Sequence, residues 1–184
     1  MRSKMIGDPE IPTMMASSAY EQLITKLERG KASYQLIDHA PEGRTDLVSR
    51  MRGNPLNQAA KCIVVMIKLG KKTKRYLLGV IPGDRRIDLS AIKKLTQASY
   101  VAFASQEVAE RLSGSPSGTI LPFSFHPELE LMVDPGLLEA SEIFFNAGRL
   151  DRSIALRTVD YVALAGPRMA SIAESAEGVA HERV

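Results

Sequence analysis

A lysine at the start of an apolar run is the residue of this sequence best placed to do chemistry. Lys61 precedes Cys62-Ile63-Val64-Val65-Met66-Ile67, whose composition is typical of a strand. Because side chains alternate between the faces of a strand, Lys61 shares its face with Ile63 and Val65. If that face packs in the core, the ammonium lies at the rim of an apolar pocket and can bind a phosphate or a polarised carbonyl. A lysine that only reaches back to solvent is the structural alternative.

A glycine-to-proline segment, Gly118-Thr119-Ile120-Leu121-Pro122, is the second feature with chemical meaning. Glycine has no side chain, so backbone groups next to it can approach a ligand closely, and Pro122 stiffens the far end of the segment. An ordinary turn that enters a strand explains the same residues. His126 follows closely enough to line the same cleft, although a histidine that only hydrogen-bonds a loop is more common.

Other catalytic patterns are weak. Gly70-Lys71-Lys72-Thr73 is similar to part of a phosphate-binding loop, but Val65 stands where the first glycine of that motif belongs. The segment 114–118 has the composition of a nucleophile elbow, but proline occupies the position of the serine. Cys62 lies within the apolar run, where a small buried side chain is expected rather than a nucleophile.

Composition fits one globular domain. The chain has 184 residues, of which 45% are hydrophobic, enough for a sizeable core. A net charge of +3 permits a nucleic-acid partner without requiring one. One cysteine excludes an intramolecular disulfide, and the three histidines are too far apart to form a metal motif, so we expect no metal or other cofactor. Without a signal peptide or an apolar stretch of about 20 residues, we expect a cytoplasmic protein with no membrane partner.

Alternating short strands and helices position these residues. The patterns predict strands at 34–37, 61–69, 75–81, 100–103, 130–133, 143–145 and 154–156. They predict helices after Ser17 and Ser18, from Thr45 as the cap to near Gly53, and at 90–97, 106–112, 137–138, 161–164 and 169–173. A hairpin connection at 70–74 excludes a purely parallel sheet. We therefore predict a mixed α/β domain over 16–176, with a flexible N-terminal extension, 1–15, and a C-terminal tail, 177–184.

The order and spacing of these segments resemble the YbaK/prolyl-tRNA synthetase associated domain family of aminoacyl-tRNA deacylases. The resemblance rests on segments 34–39, 80–84, 118–122, 143–149 and 153–157, together with Thr45 and the Lys61 strand. It implies a YbaK-like fold, with a curved, barrel-like mixed sheet and surrounding helices. Cys62 stands where threonine is common in the family, and Ile120-Leu121-Pro122-Phe123 replaces a smaller, more polar version of the loop. These departures leave the amino acid specificity open.

The resemblance implies that the protein hydrolyses, in trans, the ester that joins a wrong, small amino acid to a tRNA. A tRNA for proline is one candidate substrate. This ester is already activated, and the neighbouring ribose hydroxyl can assist the attack of water, so positioning can replace a strong base. Lys61 would then be the catalytic residue, in contact with the terminal phosphate or the scissile carbonyl. Editing is needed because one methylene gives a synthetase only about 1 to 3 kcal/mol of discrimination.

The resemblance, together with the clustering of basic residues at the hairpin and around the later turn, suggests which residues touch each part of the substrate. The predicted substrate-binding residues are Thr45, Ile63, Gly118, Thr119, Ile120, Leu121, Pro122, Phe123 and His126. The predicted contacts with the phosphates of the tRNA are Lys68, Lys71, Lys72, Lys74, Arg75, Arg149 and Arg152. The expected partner is the aminoacylated acceptor end of a tRNA, with an aminoacyl-tRNA synthetase as a second candidate. Two alternatives remain open, namely a non-catalytic tRNA- or synthetase-binding module of the same fold and a hydrolase of small esters or amides.

Overall fold

The computed structural model describes residues 17–175. Both predicted terminal segments, 1–15 and 177–184, lie outside the described residues. The α-helices in this range are α1 (Ala19–Arg29), α2 (Thr45–Arg52), α3 (Leu89–Thr96), α4 (Gln106–Ser113) and α5 (Thr158–Ala165). Two short 3₁₀-helices, Leu56–Gln58 and Pro135–Glu139, accompany them, and the second contains the helix predicted at 137–138. The strands are β1 (Tyr34–Asp38), β2 (Ala60–Leu69), β3 (Thr73–Pro82), β4 (Tyr100–Phe103), β5 (Leu129–Val133), β6 (Glu142–Asn146), β7 (Arg152–Arg157) and β8 (Arg168–Met169). No helix within 17–175 is long and apolar enough to cross a membrane.

The strands form two sheets. The smaller sheet is antiparallel, with the order β1-β7-β6, and the larger has the order β4-β2-β3-β5-β8. In the larger sheet β2 runs antiparallel to β3 and β4, whereas β3 and β5, and β5 and β8, are parallel. A bridge between Ala59 and Phe144 joins the start of β2 to β6. The mixed α/β prediction is confirmed, although the sheet is divided in two and does not close into a barrel.

Both faces of the larger sheet are buried, which explains the unbroken apolar run after Lys61. Val64 and Leu78 pack in one cluster with residues of α1, α5 and the smaller sheet. Val65 packs on the opposite face, in a cluster with residues of α3 and with Ile172. A strand that is covered on both sides has a continuous apolar sequence rather than an alternating one. Lys61 lies one residue inside the end at which β2 enters the sheet.

Local signals set the ends of several elements. Ser18 caps α1: its Oγ accepts a hydrogen bond from the Glu21 amide at 3.2 Å, while the Glu21 carboxylate accepts one from the Ser18 amide at 2.8 Å. Gly30 ends this helix, as the sequence predicts. The turn between β2 and β3 is Gly70-Lys71-Lys72, because β3 already begins at Thr73. The connection is therefore shorter than the predicted segment 70–74.

Two local predictions are wrong. Thr45 is the first residue of α2 and not its cap, because the preceding residue occupies the N-cap position without a side-chain hydrogen bond. The helix predicted at 169–173 is absent, and the chain there forms β8 and then continues without helix. The carboxylate of Asp134 accepts hydrogen bonds from the amides of Ile172 at 2.9 Å and Ala173 at 2.8 Å. These bonds satisfy backbone donors that a helix would otherwise satisfy itself.

Candidate active site

A cavity of about 180 Å³ opens beside the start of β2, close to the bridge between the two sheets. Its walls come from α2, the start of β2, the segment before β5, and the end of β6. The lining residues are Gly43, Thr45, Val48, Arg52, Ala60, Lys61, Cys62, Gly118, Ile120, Phe145 and Asn146. Four predicted site residues, Thr45, Lys61, Gly118 and Ile120, are among them. The fold therefore brings the lysine strand and the glycine-to-proline segment to one cavity.

Lys61 is half-buried at this cavity and keeps its charge available. Its Nζ donates a hydrogen bond to the backbone oxygen of Arg85 at 2.7 Å, and it forms no ion pair within residues 17–175. Desolvation lowers the pKa of Lys61, and nearby Asp84 partly opposes this effect. An ammonium held by a neutral carbonyl can still attract an anionic or polarised group of a ligand.

Two loops meet closely at the wall of the cavity. Gly118 has a φ of +85°, and a Cβ atom at this position would lie 2.8 Å from the Cα of Gly43. Only glycine fits both the backbone conformation and the contact. Asn146 ties the two loops together, since its Nδ2 donates to the backbone oxygens of Glu42 and Gly118, each at 2.9 Å.

Backbone amides of the glycine-to-proline segment differ in their partners. The Thr119 amide donates to the Pro116 oxygen at 3.0 Å. The amides of Gly118 and Ile120 have no hydrogen-bond partner in the described part of the chain. Because both residues line the cavity, their N–H groups can donate to an oxygen that becomes negative during attack on an ester.

Arg52 is a second cation of the cavity, and the sequence did not identify it as a site residue. Its Nε donates to Asn54 Oδ1 at 2.9 Å. Its two terminal nitrogens donate to Ser153 Oγ at 3.1 Å and to Ser49 Oγ at 3.2 Å. These bonds use three of five N–H donors, and all three acceptors are neutral. Burial lowers the pKa of Arg52 to about 10, so the guanidinium remains charged at neutral pH.

Ser153 connects Arg52 to Asn146, the residue that ties the two loops together. It is fully buried, and its Oγ donates to Asn146 Oδ1 at 2.9 Å. The same Oγ accepts a hydrogen bond from Arg52 and lies 2.7 Å from His39 Nε2. Asn146 and Ser153 lie in segments on which the family resemblance rests, and this was the sequence signal that could have identified them as site residues. Arg52 gave no signal beyond its place in the last turn of a predicted helix.

The cavity contains no activated nucleophile. The Cys62 thiol lies against the backbone, with Sγ 3.9 Å from the Ala60 oxygen, and burial raises the pKa of this thiol. A thiol that resists ionisation is a poor nucleophile. No group of three or more His, Cys, Asp or Glu side chains within 17–175 is arranged to hold a metal ion. The groups that do line the cavity, two cations and backbone amides, can position a substrate and stabilise negative charge.

Several predicted substrate-binding residues lie outside the lining of the cavity. Thr119 is buried, and its hydroxyl donates to the Pro116 oxygen at 2.8 Å. Leu121 and Phe123 belong to the core, and the Pro122 oxygen accepts a hydrogen bond from the Tyr161 hydroxyl at 2.8 Å. These side chains support the segment from behind.

The other two predicted substrate-binding residues, Ile63 and His126, face other parts of the molecule. Ile63 lines a separate groove on the other side of Lys61. His126 is in the turn before β5, where its Nδ1 accepts a hydrogen bond from the Glu128 amide at 3.1 Å. Neither side chain lines the cavity, so a contact of either with the substrate stays a prediction.

The basic residues that were predicted to contact tRNA form two groups, neither of which lines the cavity. Lys71, Lys72 and Lys74 are exposed at the β2–β3 turn, where Lys68 lies over the Tyr100 ring and Arg75 pairs with Glu130. Seven residues of strand separate Lys61 from Lys68, a span of about 23 Å.

The second group flanks Tyr20. Arg149 pairs with Asp151 at 2.8 Å, and Arg152 pairs with Asp38 at 2.6 Å. These surface pairs leave both guanidinium groups partly exposed, and their contact with RNA stays a prediction.

Comparison with known proteins places this arrangement in a family. The chain is 35% identical over 161 residues to the multifunctional Ser/Thr-tRNA deacylase ProXp-y of Escherichia coli K12, covering 87% of this chain and 96% of that protein. The crystal structure of a protein proposed to be a trans-editing enzyme for prolyl-tRNA synthetase superposes with a TM-score of 0.71 at 20% identity, over 88% of this chain and 100% of that one. The hypothetical protein APE2540 has a TM-score of 0.75 at 21% identity, over 83% and 99% of the chains. Residues 40–164 match the model of the aminoacyl-tRNA editing domain, and the chain belongs to that family.

Proposed function

We propose that this protein is a trans-editing aminoacyl-tRNA deacylase that hydrolyses the ester of a tRNA charged with a small amino acid. The observation that carries the proposal is a small cavity lined by Lys61, whose ammonium forms no ion pair within residues 17–175, and by two backbone amides without a partner in the same range, in a member of the aminoacyl-tRNA editing family. A cavity of about 180 Å³ has the volume of about six water molecules. It suits a small acyl group, whereas a whole nucleotide must lie outside.

The residues suggest a division of labour in the reaction. Water, assisted by the free hydroxyl of the terminal ribose, attacks the ester carbonyl, and the ribose oxygen leaves with a proton. Lys61 attracts the polarised carbonyl or the adjacent phosphate, and the amides of Gly118 and Ile120 donate to the oxyanion. The apolar wall that includes Val48 and Phe145 holds the acyl group in place.

The relative from Escherichia coli suggests serine and threonine as the amino acids that are removed. The cavity supports this substrate class, because Thr45 and Arg52 offer polar groups beside its apolar wall. A hydroxyl-bearing acyl group can use such donors, whereas an apolar group of the same size cannot. A synthetase as an additional partner and a location in the cytoplasm are parts of the same proposal.

The test is the release of amino acid from a panel of mischarged tRNAs by the natural chain, Lys61→Ala and Lys61→Arg. We expect seryl or threonyl esters to be hydrolysed and Lys61→Ala to lose at least tenfold in kcat/KM, the effect of one interaction with a charged group. Because desolvation lowers the pKa of Lys61, the ammonium is lost at a lower pH than in an ordinary lysine. Lys61→Arg, if active, should therefore keep its activity to higher pH.

The panel also separates the alternatives. Folded protein that binds tRNA but hydrolyses no ester would favour the non-catalytic binding module. Equal activity on small amino acid esters, without any gain from the RNA, would favour the hydrolase of small esters. Activity that survives intact in Lys61→Ala would remove this lysine from the mechanism.

A further inference from the structure

We propose that a groove on the far side of Lys61 binds the terminal nucleoside of the acylated RNA, with its base stacked on Phe103. The inference rests on the proposed function, because it places the other half of the same substrate. The groove has a volume of about 470 Å³ and is lined by Arg85, Arg86 and Phe103, among others. It is larger than the acyl cavity, whose volume is about 180 Å³.

Among residues 17–175, Lys61 alone lines both spaces. An ester bond held at this side chain therefore has the small cavity on one side and the larger groove on the other. The cavity accommodates the acyl group, so the ribose and base must extend toward the groove. Lys61 keeps its position between the two spaces because its Nζ is anchored on the Arg85 carbonyl at 2.7 Å.

Phe103 presents an aromatic surface on the required side of the sheet. It pairs with Val65 across β2 and β4, so its ring lies on the same face as Lys61 and Ile63. The residue is 59% exposed, on β4, an edge strand of the larger sheet. It makes no ring contact within residues 17–175. An exposed ring of this kind can stack on any base, since every base has a π face.

The charges of the groove suit a nucleotide rather than a simple anion. Lys61 and Arg85 supply cations for a phosphate. Asp88 and Glu174 also line the groove, and Asp88 Oδ1 already accepts from the Ala91 amide as the cap of α3. Carboxylates repel phosphate but accept hydrogen bonds from ribose hydroxyls and exocyclic amines. The mixed lining therefore matches the mixed polarity of a nucleotide with its base.

The test is a double-mutant cycle, in which a change in the protein is combined with a change in the RNA to measure their coupling. The protein is natural or Phe103→Ala, and the substrate is an acylated acceptor minihelix with either its terminal adenine or an abasic ribose. We expect Phe103→Ala to raise KM about tenfold for the adenine substrate, the usual size of one stacking contact, with kcat little changed. For the abasic substrate the same variant should have almost no effect.

Two variants control the cycle. Phe103→Tyr preserves the ring and should keep the natural KM. Val159→Ala removes part of another exposed apolar side chain, 62% exposed on α5. It should leave KM unchanged for both substrates. An equal effect of Phe103→Ala on both substrates, or no effect on either, would overturn the inference.

Binding of the uncharged minihelices separates this inference from the proposed function. The dissociation constants can be measured in the same cycle without any hydrolysis. If Phe103 and the terminal base are coupled in a protein that hydrolyses no ester, the nucleoside-binding groove is supported and the deacylase function is rejected. If the ester is hydrolysed without such coupling, the deacylase function is supported and the nucleoside-binding groove is rejected.

Discussion

Arg52 and Lys61 are two cations at one cavity, and both are held by neutral groups. Lys61 uses a backbone carbonyl, and Arg52 uses two hydroxyls and one amide oxygen. A partly buried charge without a carboxylate partner has an energetic cost, which an anionic or polarised ligand can offset. The arrangement is therefore better explained by ligand binding than by stability of the empty protein.

The role of Arg52 can be tested by Arg52→Met, which keeps an extended apolar stem without the N–H donors. We expect kcat/KM for a threonyl ester to fall about 10- to 100-fold, the effect of one hydrogen bond to a charged group. The isosteric valyl ester, which has no hydroxyl to accept a bond, should be affected less. The measurement is deacylation of tRNA carrying either amino acid.

Arg50→Met is the matched control, since Arg50 is an exposed arginine on the same helix. It should leave both rates unchanged. If Arg52→Met lowers the threonyl and valyl rates equally, Arg52 acts by holding Ser153 and Ser49 in place and does not select the substrate.

At the scale of elements, the site depends on how two loops are fastened to β6. Asn146 at the end of β6 binds the loop oxygens of Glu42 and Gly118, and Ser153 of β7 orients Asn146. Since β6 and β7 are neighbours in the smaller sheet, paired strands position the two loops of the wall. The start of β2 supplies the lysine from the other sheet.

The loop contact predicts a specific effect of Gly118→Ala. The new Cβ would lie 2.8 Å from the Gly43 Cα, so the loops must move apart and the free amides must shift. We expect kcat/KM to fall at least tenfold while the protein remains folded, with a loss of about 1 to 3 kcal/mol in the free energy of unfolding from the strained backbone. Deacylation kinetics and chemical denaturation measure the two quantities.

The variant Gly114→Ala separates the effect of backbone strain from the effect of the close contact with Gly43. Gly114 also has a positive φ, +68°, but a Cβ there would meet no atom within 4 Å. This variant should lose similar stability and retain activity. Similar kinetic losses in both variants would show that the close approach to Gly43 is not what the site requires.

At the scale of the whole molecule, the hairpin lysines lie at or beyond the level of Lys68, which is about 23 Å from Lys61 along β2. A long acidic ligand such as the acceptor stem of a tRNA can reach both, but a small ester cannot. Lys71, Lys72 and Lys74 have exposed side chains, and the described residues offer them no ion pair. The whole surface therefore favours RNA over a small substrate.

Salt dependence tests this contact. In the triple variant Lys71→Gln, Lys72→Gln, Lys74→Gln, the slope of log kcat/KM against log salt concentration should decrease by about one unit for each lost phosphate contact. The value of kcat should not change, because these residues are far from the cavity. A control variant, Arg29→Gln, Lys31→Gln, Arg157→Gln, removes three exposed charges near the start of β1. Equal slopes in the two variants would exclude a specific hairpin contact.

The sequence alone determined much of this molecule, because many signals are local. The serine cap and final glycine of α1, the apolar run of β2 and the lysine at its start were readable from neighbouring residues. The glycine-to-proline segment also marked a place of close backbone approach. These features follow from local conformational preferences and from strand periodicity, which need no tertiary information.

The tertiary structure decided what a linear pattern cannot contain. Whether Leu121 or Ile120 faces the cavity depends on packing against Tyr161 and its neighbours. The failure of the helix at 169–173 depends on the distant carboxylate of Asp134. Arg52 became a site residue because folding partly buried it and placed it beside Ser153. Long-range burial and hydrogen bonding outweigh local preference in each case, since their energies exceed those of intrinsic propensity.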